Sequence, residues 1–314
     1  MSEFALIQRY FKTLSEPAAS VLLGIGDDCA LLTPPVGCAL AVSIDTQVEG
    51  VHFPHNAPAE QVGRRVACCA LSDLAAMGAQ PLWATLALTL PQVDSAWLEA
   101  FSRGLGAILK RFHTTLIGGD TTQGPLAITL QVHGSVAPDQ ALRRSGAQVG
   151  DVIYVTGCLG DGAAALAYLQ GKFQPEDAAC TYLTERFYAP EPQISAGHAL
   201  AGVASSAIDI SDGLLADLTH ISEASGLGAT IYIEALPISP LWCNQVEPTQ
   251  AQHWALTGGD DYQLCFTLAP ERQLPQSQAW QAYPIGVITQ TPGIIILNHG
   301  QPVHINTGGY EHFR

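Results

Sequence analysis

Two pairs of adjacent aspartates stand in glycine-led runs: Asp27-Asp28 in GIGDDCALL and Asp260-Asp261 in TGGDDYQLCF. Both runs are otherwise largely apolar, and a carboxylate taken out of water needs a partner. Five more acids fall in short Gly- or Ser-containing motifs: Asp45 in SIDT, Asp73 in LSDLAAMGA, Asp120 in IGGDTT, and Asp209 and Asp212 in DISDGLL. These are nine of the fifteen aspartates, and the glutamates show no such clustering. Acids that served solubility alone would scatter over exposed helix faces. Aspartate is also common in turns and at helix N-caps, which accounts for any one motif taken singly. Asp212 and Asp161 in particular read as N-caps. Turn chemistry does not account for aspartate pairs in apolar runs, or for Asp73 on the apolar stripe of a helix. Together they point to a convergent acidic site.

Carboxylates without soft ligands select hard divalent cations, and magnesium takes one or two of them together with waters and substrate phosphates. Calcium is the competing ion, but no EF-hand loop is present; nor is the HExxH pairing of a zinc hydrolase. Magnesium among aspartates suggests a phosphate substrate. The chain has no GxxxxGK[ST] loop, no protein-kinase motif set, and three lysines, Lys12, Lys110 and Lys172. Neutralising a polyphosphate would fall to metal ions and backbone amides, helped by Arg143 or Arg144.

The elements that must carry these residues are partly legible. Residues 39–44 read as a strand that ends at Asp45, and 59–78 as a helix whose stripe Val62, Val66, Cys69 continues to Asp73. Residues 83–90 read as a strand. Asp94 reads as the N-cap of a helix with the stripe Trp97, Phe101, Leu105, Ile108 and Phe112. Residues 115–117 form a short strand running into Gly118, Gly119 and Asp120. Alternation over 127–133 puts Ile128, Leu130 and Val132 on one face of a half-buried strand. In the second half, strands are expected at 152–156, 206–210, 230–234, 262–268, 284–288 and 293–297, with helices at 161–170 and 212–225. Asp45, Asp120 and Asp209 are thus expected at or just past strand ends.

With 314 residues the chain is long for one core, and a polar stretch over 137–151 marks a boundary between two domains. No run is apolar enough for a membrane span and no signal peptide is recognisable, so a cytoplasmic protein is expected. Eight scattered cysteines without CxxC fit reduced thiols. A net charge of -15 argues against nucleic-acid or anionic-membrane partners.

The motifs GIGDDCALL, SIDTQVEGVHF, LSDLAAMGAQP, LIGGDTT, AIDISDGLLADL and GGDDYQLCF, in that order, closely resemble the thiamine-monophosphate kinase family. That family is part of the aminoimidazole ribonucleotide (AIR) synthetase and selenophosphate synthetase superfamily. The resemblance runs from Glu3 to Phe313. It implies an α+β protein of two α/β domains, each with a mixed sheet. Residues 1–138 would bind ATP and metal and form a β-barrel across a homodimer. Residues 139–148 would be a linker, and residues 149–314 the second domain, with helices flanking its sheet. It implies transfer of the γ-phosphoryl of ATP to thiamine monophosphate, with several Mg2+ ions and K+ as a further candidate cation. Carried over by motif, the implied metal ligands are Asp28, Ser43, the main chain of Ile44, Asp45, Asp73, Asp120, Asp209 and Asp212. Of these, Asp45, Asp120 and Asp212 stand nearest the chemistry. Gly119, Asp120, Arg144 and Ser211 match ATP contacts; His52, Asp260 and Tyr310 match substrate contacts. Ile44 replaces the Thr common in the family's STDT, and Asp260 replaces the Glu of GGEDY. The alternatives are another superfamily enzyme with a different acceptor, or a sensor that binds Mg-nucleotide or thiamine phosphates without turnover.

Overall fold

The computed structural model describes residues 3–15 and 18–305. Its chain divides into two compact units: Met1–Leu74 with Ala79–Pro138, and Ala75–Gly78 with Asp139–Arg314. Each unit is a mixed sheet with helices, so the α+β expectation holds.

The first unit begins with α1 (Glu3–Leu6), which continues as a π-helical turn over Ile7–Phe11, and a small hairpin, β1 (Val21–Leu23) and β2 (Leu31–Leu32). Its main sheet holds β3 (Ala39–Val48), β4 (Gln80–Leu90), β5 (Thr115–Gln123) and β6 (Ala127–Val136) in the order β3-β6-β4-β5. Only β4 and β5 are parallel. They are joined by α3 (Ser95–Arg111), and α2 (Ala59–Ala76) precedes β4. Asp94 caps α3 as expected, its Oδ1 accepting the N–H groups of Ala96 at 2.9 Å and Trp97 at 3.1 Å. Ile128, Leu130 and Val132 are fully buried, as the alternation in β6 requires.

The two helices touch through glycines. A Cβ on Gly104 would lie 2.0 Å from the carbonyl oxygen of Glu60, and one on Gly63 would lie 2.3 Å from that of Phe101. Neither partner is a side chain that can swing away. Gly104→Ala is therefore expected to cost about 2 kcal/mol in spite of alanine's better helix propensity, since the helices must part. Urea denaturation checks this, and a midpoint equal to that of the wild type would show that they part freely.

The second unit is built on a seven-stranded sheet. Its strands are β7 (Val152–Thr156), β8 (Ser206–Asp209), β9 (Gly228–Tyr232), β10 (Leu264–Leu268), β11 (Ala282–Thr289), β12 (Gly293–Asn298) and β13 (Gln301–Pro302). The order is β13-β12-β9-β11-β7-β10-β8, antiparallel except for β12 beside β9. Five helices accompany it: α4 (Asp161–Leu169), α5 (Asp177–Tyr188), α6 (Ile194–Leu200), α7 (Leu214–Ser225) and α8 (Pro248–Thr257). Its core gathers Ile153, Val155, Ile208, Leu218, Ile231 and Ile285 from sheet and helix alike. Among the described residues no helix is long and apolar enough to cross a membrane, and all eight cysteines are free thiols.

Candidate active site

Several acids stand elsewhere than the sequence suggests. Asp45 lies inside β3, because pairing with β6 carries that strand on to Val48, and Asp120 lies inside β5, because pairing with β4 carries it on to Gln123. Asp27 and Asp28 are exposed, not buried in an apolar run. In the first unit a cavity of about 430 Å³ brings together Asp27, Asp28, Gly118, Gly119 and Asp120, with the π-helical turn at Ile7 and Phe11 on its wall. Gly119 is required there: a Cβ would lie 1.9 Å from the carbonyl oxygen of Leu86, so no side chain stands between the backbone and the cavity.

A second group forms where β3 meets α2. The hydroxyl of Ser43 donates to Asp73 Oδ2 at 2.5 Å, so Asp73 turns toward the sheet, where its helical stripe places it. Asp45 follows on the same side of β3, two residues along. Ile44 points the other way and is 63% exposed, in a row with Leu40 and Val42. By register Asp45 belongs to the row Leu130, Leu86, Gly119, and Asp120 to the adjoining row Thr46, Thr129, Ala87, which has the opposite face. His52 lies just past β3, and its Nδ1 accepts the N–H of Val48 at 3.0 Å. The neutral ring therefore carries its proton on Nε2.

In the second unit three loops meet at one end of the sheet. Asp209 closes β8 and is buried, and the segment Ser211–Gly213 follows. Helix α7 starts only at Leu214, with Gly213 as its N-cap, so Asp212 is not a cap. The loop is shaped by Asp217, whose Oδ2 accepts the N–H groups of Ser211 at 3.0 Å and of Asp212 and Gly213 at 3.1 Å. Burial, then the charges of Asp209 and Asp212, push the Asp217 carboxyl up to about 7 against the pull of these donors. The Gly258–Tyr262 segment lies directly on this loop: Asp260 N–H donates to Ser211 O at 2.8 Å and Tyr262 N–H to Ile210 O at 2.7 Å. Arg144 is exposed on the strand's other flank, where Ala207 N–H donates to the carbonyl of Arg143 at 2.8 Å.

Asp261 and Asp161 have structural partners. Asp261 is fully buried and accepts N–H groups from Gly160 at 2.7 Å and Gly162 at 2.9 Å. Burial, then the charge of Asp161, push its carboxyl up to about 8. Asp161 is no N-cap: it accepts from Trp242 Nε1 at 2.7 Å, Arg186 Nε at 3.1 Å and the Tyr182 hydroxyl. Asp261 thus finds its partners in the protein rather than in a metal or substrate. Reasoning from sequence missed Asp217 and Arg186. An acid in a helix's first turn and an arginine in an ordinary amphipathic helix carry no distinguishing local signal. Tyr310 lies outside the described residues.

Among the described residues no three His, Cys, Asp or Glu side chains are grouped closely enough to form a metal cage. The donors come as pairs and singles of hard oxygen. That suits magnesium, which takes one or two carboxylates and completes its shell with water and phosphate oxygens.

Comparison with known proteins bears on the whole arrangement. Residues 26–136 match the family model "AIR synthase related protein, N-terminal domain", and residues 148–297 match its C-terminal counterpart. Thiamine-monophosphate kinase of Escherichia coli K12 is 49% identical, over 99% of this chain and 98% of its own. The chain belongs to the thiamine-monophosphate kinase family. A crystal structure of thiamine-monophosphate kinase from Stenotrophomonas maltophilia K279a is 41% identical, with a TM-score of 0.88 over 96% of this chain and 98% of its own. A solved structure described as "AaThiL complexed with AMPPCP and TMP" is 30% identical, with a TM-score of 0.80 over 99% and 97%. The region matched by the first family model contains Asp28, Ser43, Asp45, His52, Asp73 and Asp120, and that matched by the second contains Asp209, Ser211, Asp212 and Asp260.

Proposed function

We propose that this chain is an enzyme that transfers the γ-phosphoryl group of ATP to the phosphate of thiamine monophosphate, giving thiamine diphosphate and ADP. One observation of geometry supports this most directly. The loop matched to ATP and metal contacts and the loop matched to the acceptor contact are hydrogen-bonded to each other, Asp260 N–H to Ser211 O at 2.8 Å. Full-length identity of 49% to a thiamine-monophosphate kinase agrees with it.

The acceptor is a phosphate monoester with a second pKa near 6, so it is largely a dianion at neutral pH and needs no general base. One of its oxygens forms the new bond to the γ-phosphorus as the bond to the β,γ-bridging oxygen breaks, and ADP leaves with that electron pair. The barrier is repulsion between anions, and the protein's task is positioning. The backbone at Gly118-Gly119 would approach the nucleotide, with Arg144 and Ser211 as further contacts. His52 would hydrogen-bond an acceptor phosphate oxygen through its Nε2–H, and Asp260 and Tyr310 would hold the thiamine portion. Asp28, Ser43, Asp45, Asp73, Asp120, Asp209, Asp212 and the Ile44 carbonyl would hold Mg2+. When bound, the metal would neutralise phosphate charge and stabilise the leaving group.

We also read the chain as a cytoplasmic homodimer, with residues 1–138 as its nucleotide, metal and dimerisation domain, 139–148 as the linker and 149–314 as the second domain. The row Leu40, Val42 and Ile44 on edge strand β3, at 46%, 52% and 63% exposure, supports a second copy at that face. Several Mg2+ ions are expected per site, with K+ as an additional cation.

The test is a direct assay: protein, Mg·ATP and thiamine monophosphate, with thiamine diphosphate quantified by chromatography. Stoichiometric thiamine diphosphate and ADP are expected. ADP without thiamine diphosphate would indicate hydrolysis or another acceptor, and bound nucleotide with no product would indicate a sensor.

A further inference from the structure

We propose that Arg186, on α5, is a positioning residue for the acceptor. It holds the Gly258–Tyr262 segment, and with it Asp260, in the shape that binds thiamine monophosphate, and it touches neither substrate. The proposal rests on the reading of Asp260 as an acceptor contact.

The Arg186 side chain is 14% exposed and works in two directions. Its Nε donates to Asp161 Oδ2 at 3.1 Å, and its Nη2 donates to the main-chain carbonyl of Asp261 at 3.1 Å. Asp161 is itself fixed by Trp242 Nε1 at 2.7 Å and by the Tyr182 hydroxyl. Residue 261 is therefore gripped twice. Its carboxyl is held by the N–H groups of Gly160 and Gly162, and its carbonyl by α5.

The grip matters because of the backbone on either side. Asp260 has φ 67° and Tyr262 has φ 51°. Aspartate tolerates this left-handed region, but tyrosine does so poorly, and two such residues flanking a single residue persist only where the surroundings hold them. Arginine suits the task because its planar fork sends N–H groups along two fixed directions. A lysine could keep the charge of Asp161 partnered, but its single ammonium on a flexible stem would not reproduce the second arm. The neighbouring Ser211–Gly213 loop has its own anchor in the three N–H bonds to Asp217. Loosening residue 261 should therefore affect the acceptor more than the nucleotide.

The experiment compares Arg186→Lys, Asp161→Asn/Arg186→Met, Asp260→Ala and Asp260→Ala/Arg186→Lys. Circular dichroism checks folding; kcat, the KM for thiamine monophosphate and the Kd of a non-hydrolysable Mg·ATP analogue are then measured. The double neutral variant removes both buried charges at once, so neither is left unpaired. For Arg186→Lys and the double neutral variant, the KM for thiamine monophosphate is expected to rise about tenfold, with kcat and nucleotide Kd within about twofold of wild type. Arg186→Lys should add nothing once Asp260 is Ala. An unchanged KM in folded Arg186→Lys, an equal loss of nucleotide affinity, or loss of fold in both Arg186 variants would overturn the proposal. A wild-type KM in Asp260→Ala would instead remove the reading of Asp260, and the proposal with it.

Discussion

Asp120→Asn is expected to lower kcat for thiamine diphosphate formation by about 10²–10³-fold, or about 2.7–4 kcal/mol of transition-state stabilisation. The residue lies in β5, exposed, on the wall of the cavity that also holds Asp27 and Asp28. Asparagine has the same shape and keeps one oxygen, so an exposed exchange of this kind should change stability by no more than about 0.5 kcal/mol. What is lost is the negative charge. A reaction between two phosphates without a general base depends on cations held in place, and each carboxylate that helps to hold them acts on the barrier directly. The expected pattern is thus a large fall in kcat, a higher Mg2+ concentration for half-maximal rate, and an unchanged melting temperature. Coupled ADP release and a magnesium titration measure it. Wild-type turnover in the folded variant would exclude Asp120 from the reaction centre.

Asp217→Ala is expected to act through the loop it shapes. Three backbone N–H groups, those of Ser211, Asp212 and Gly213, converge on one carboxylate oxygen of a residue 3% exposed. Alanine leaves them without that acceptor, and a buried donor left unpaired costs about 1–3 kcal/mol. Part of the loss is recovered where the loop relaxes toward water, so the net cost should be roughly 3 kcal/mol. The same relaxation moves Ser211 and Asp212, and a displacement of about 1 Å at a reacting centre is worth about 10²-fold in rate. Asp217→Asn keeps an oxygen where the three donors point and should retain most of both stability and rate. Chemical denaturation alongside kcat separates the two effects. If Ala and Asn variants lose rate equally, the charge of Asp217 matters and the loop geometry does not.

Both residues are aspartates, yet the two act in different ways, and only one of them stands in a glycine-led motif. Asp120 follows Gly118-Gly119 inside β5, and Asp217 follows Leu215-Ala216 in the first turn of α7. One faces a cavity; the other is consumed by the protein's own backbone. Likewise the pair Asp260-Asp261 looks like two equivalent acids. Asp261 is enclosed by the amides of Gly160 and Gly162, about a hundred positions earlier, while Asp260 is only partly buried beside Ser211. No local pattern distinguishes Asp260 from Asp261, because the partners of Asp261 come from the start of α4 and from α5.

What the amino-acid sequence determined by itself rests on short-range chemistry. Asp94 caps α3 because its carboxylate reaches N–H groups two and three residues on, and the buried face of β6 follows from strict alternation of Ile128, Leu130 and Val132. The boundaries of β7 and the order of the six motifs, and so the family, were equally legible. The tertiary structure decided the rest. β3 runs past Asp45 because β6 pairs with it as far as Val48. Asp161 became a buried acceptor rather than a cap because Arg186, Trp242 and Tyr182 close over it. Whether a carboxylate is available for metal and substrate depends on which donors have already claimed it. For Asp161 and Asp261 those donors are brought by packing between segments far apart in the chain, and that information is not carried by the residues on either side of them.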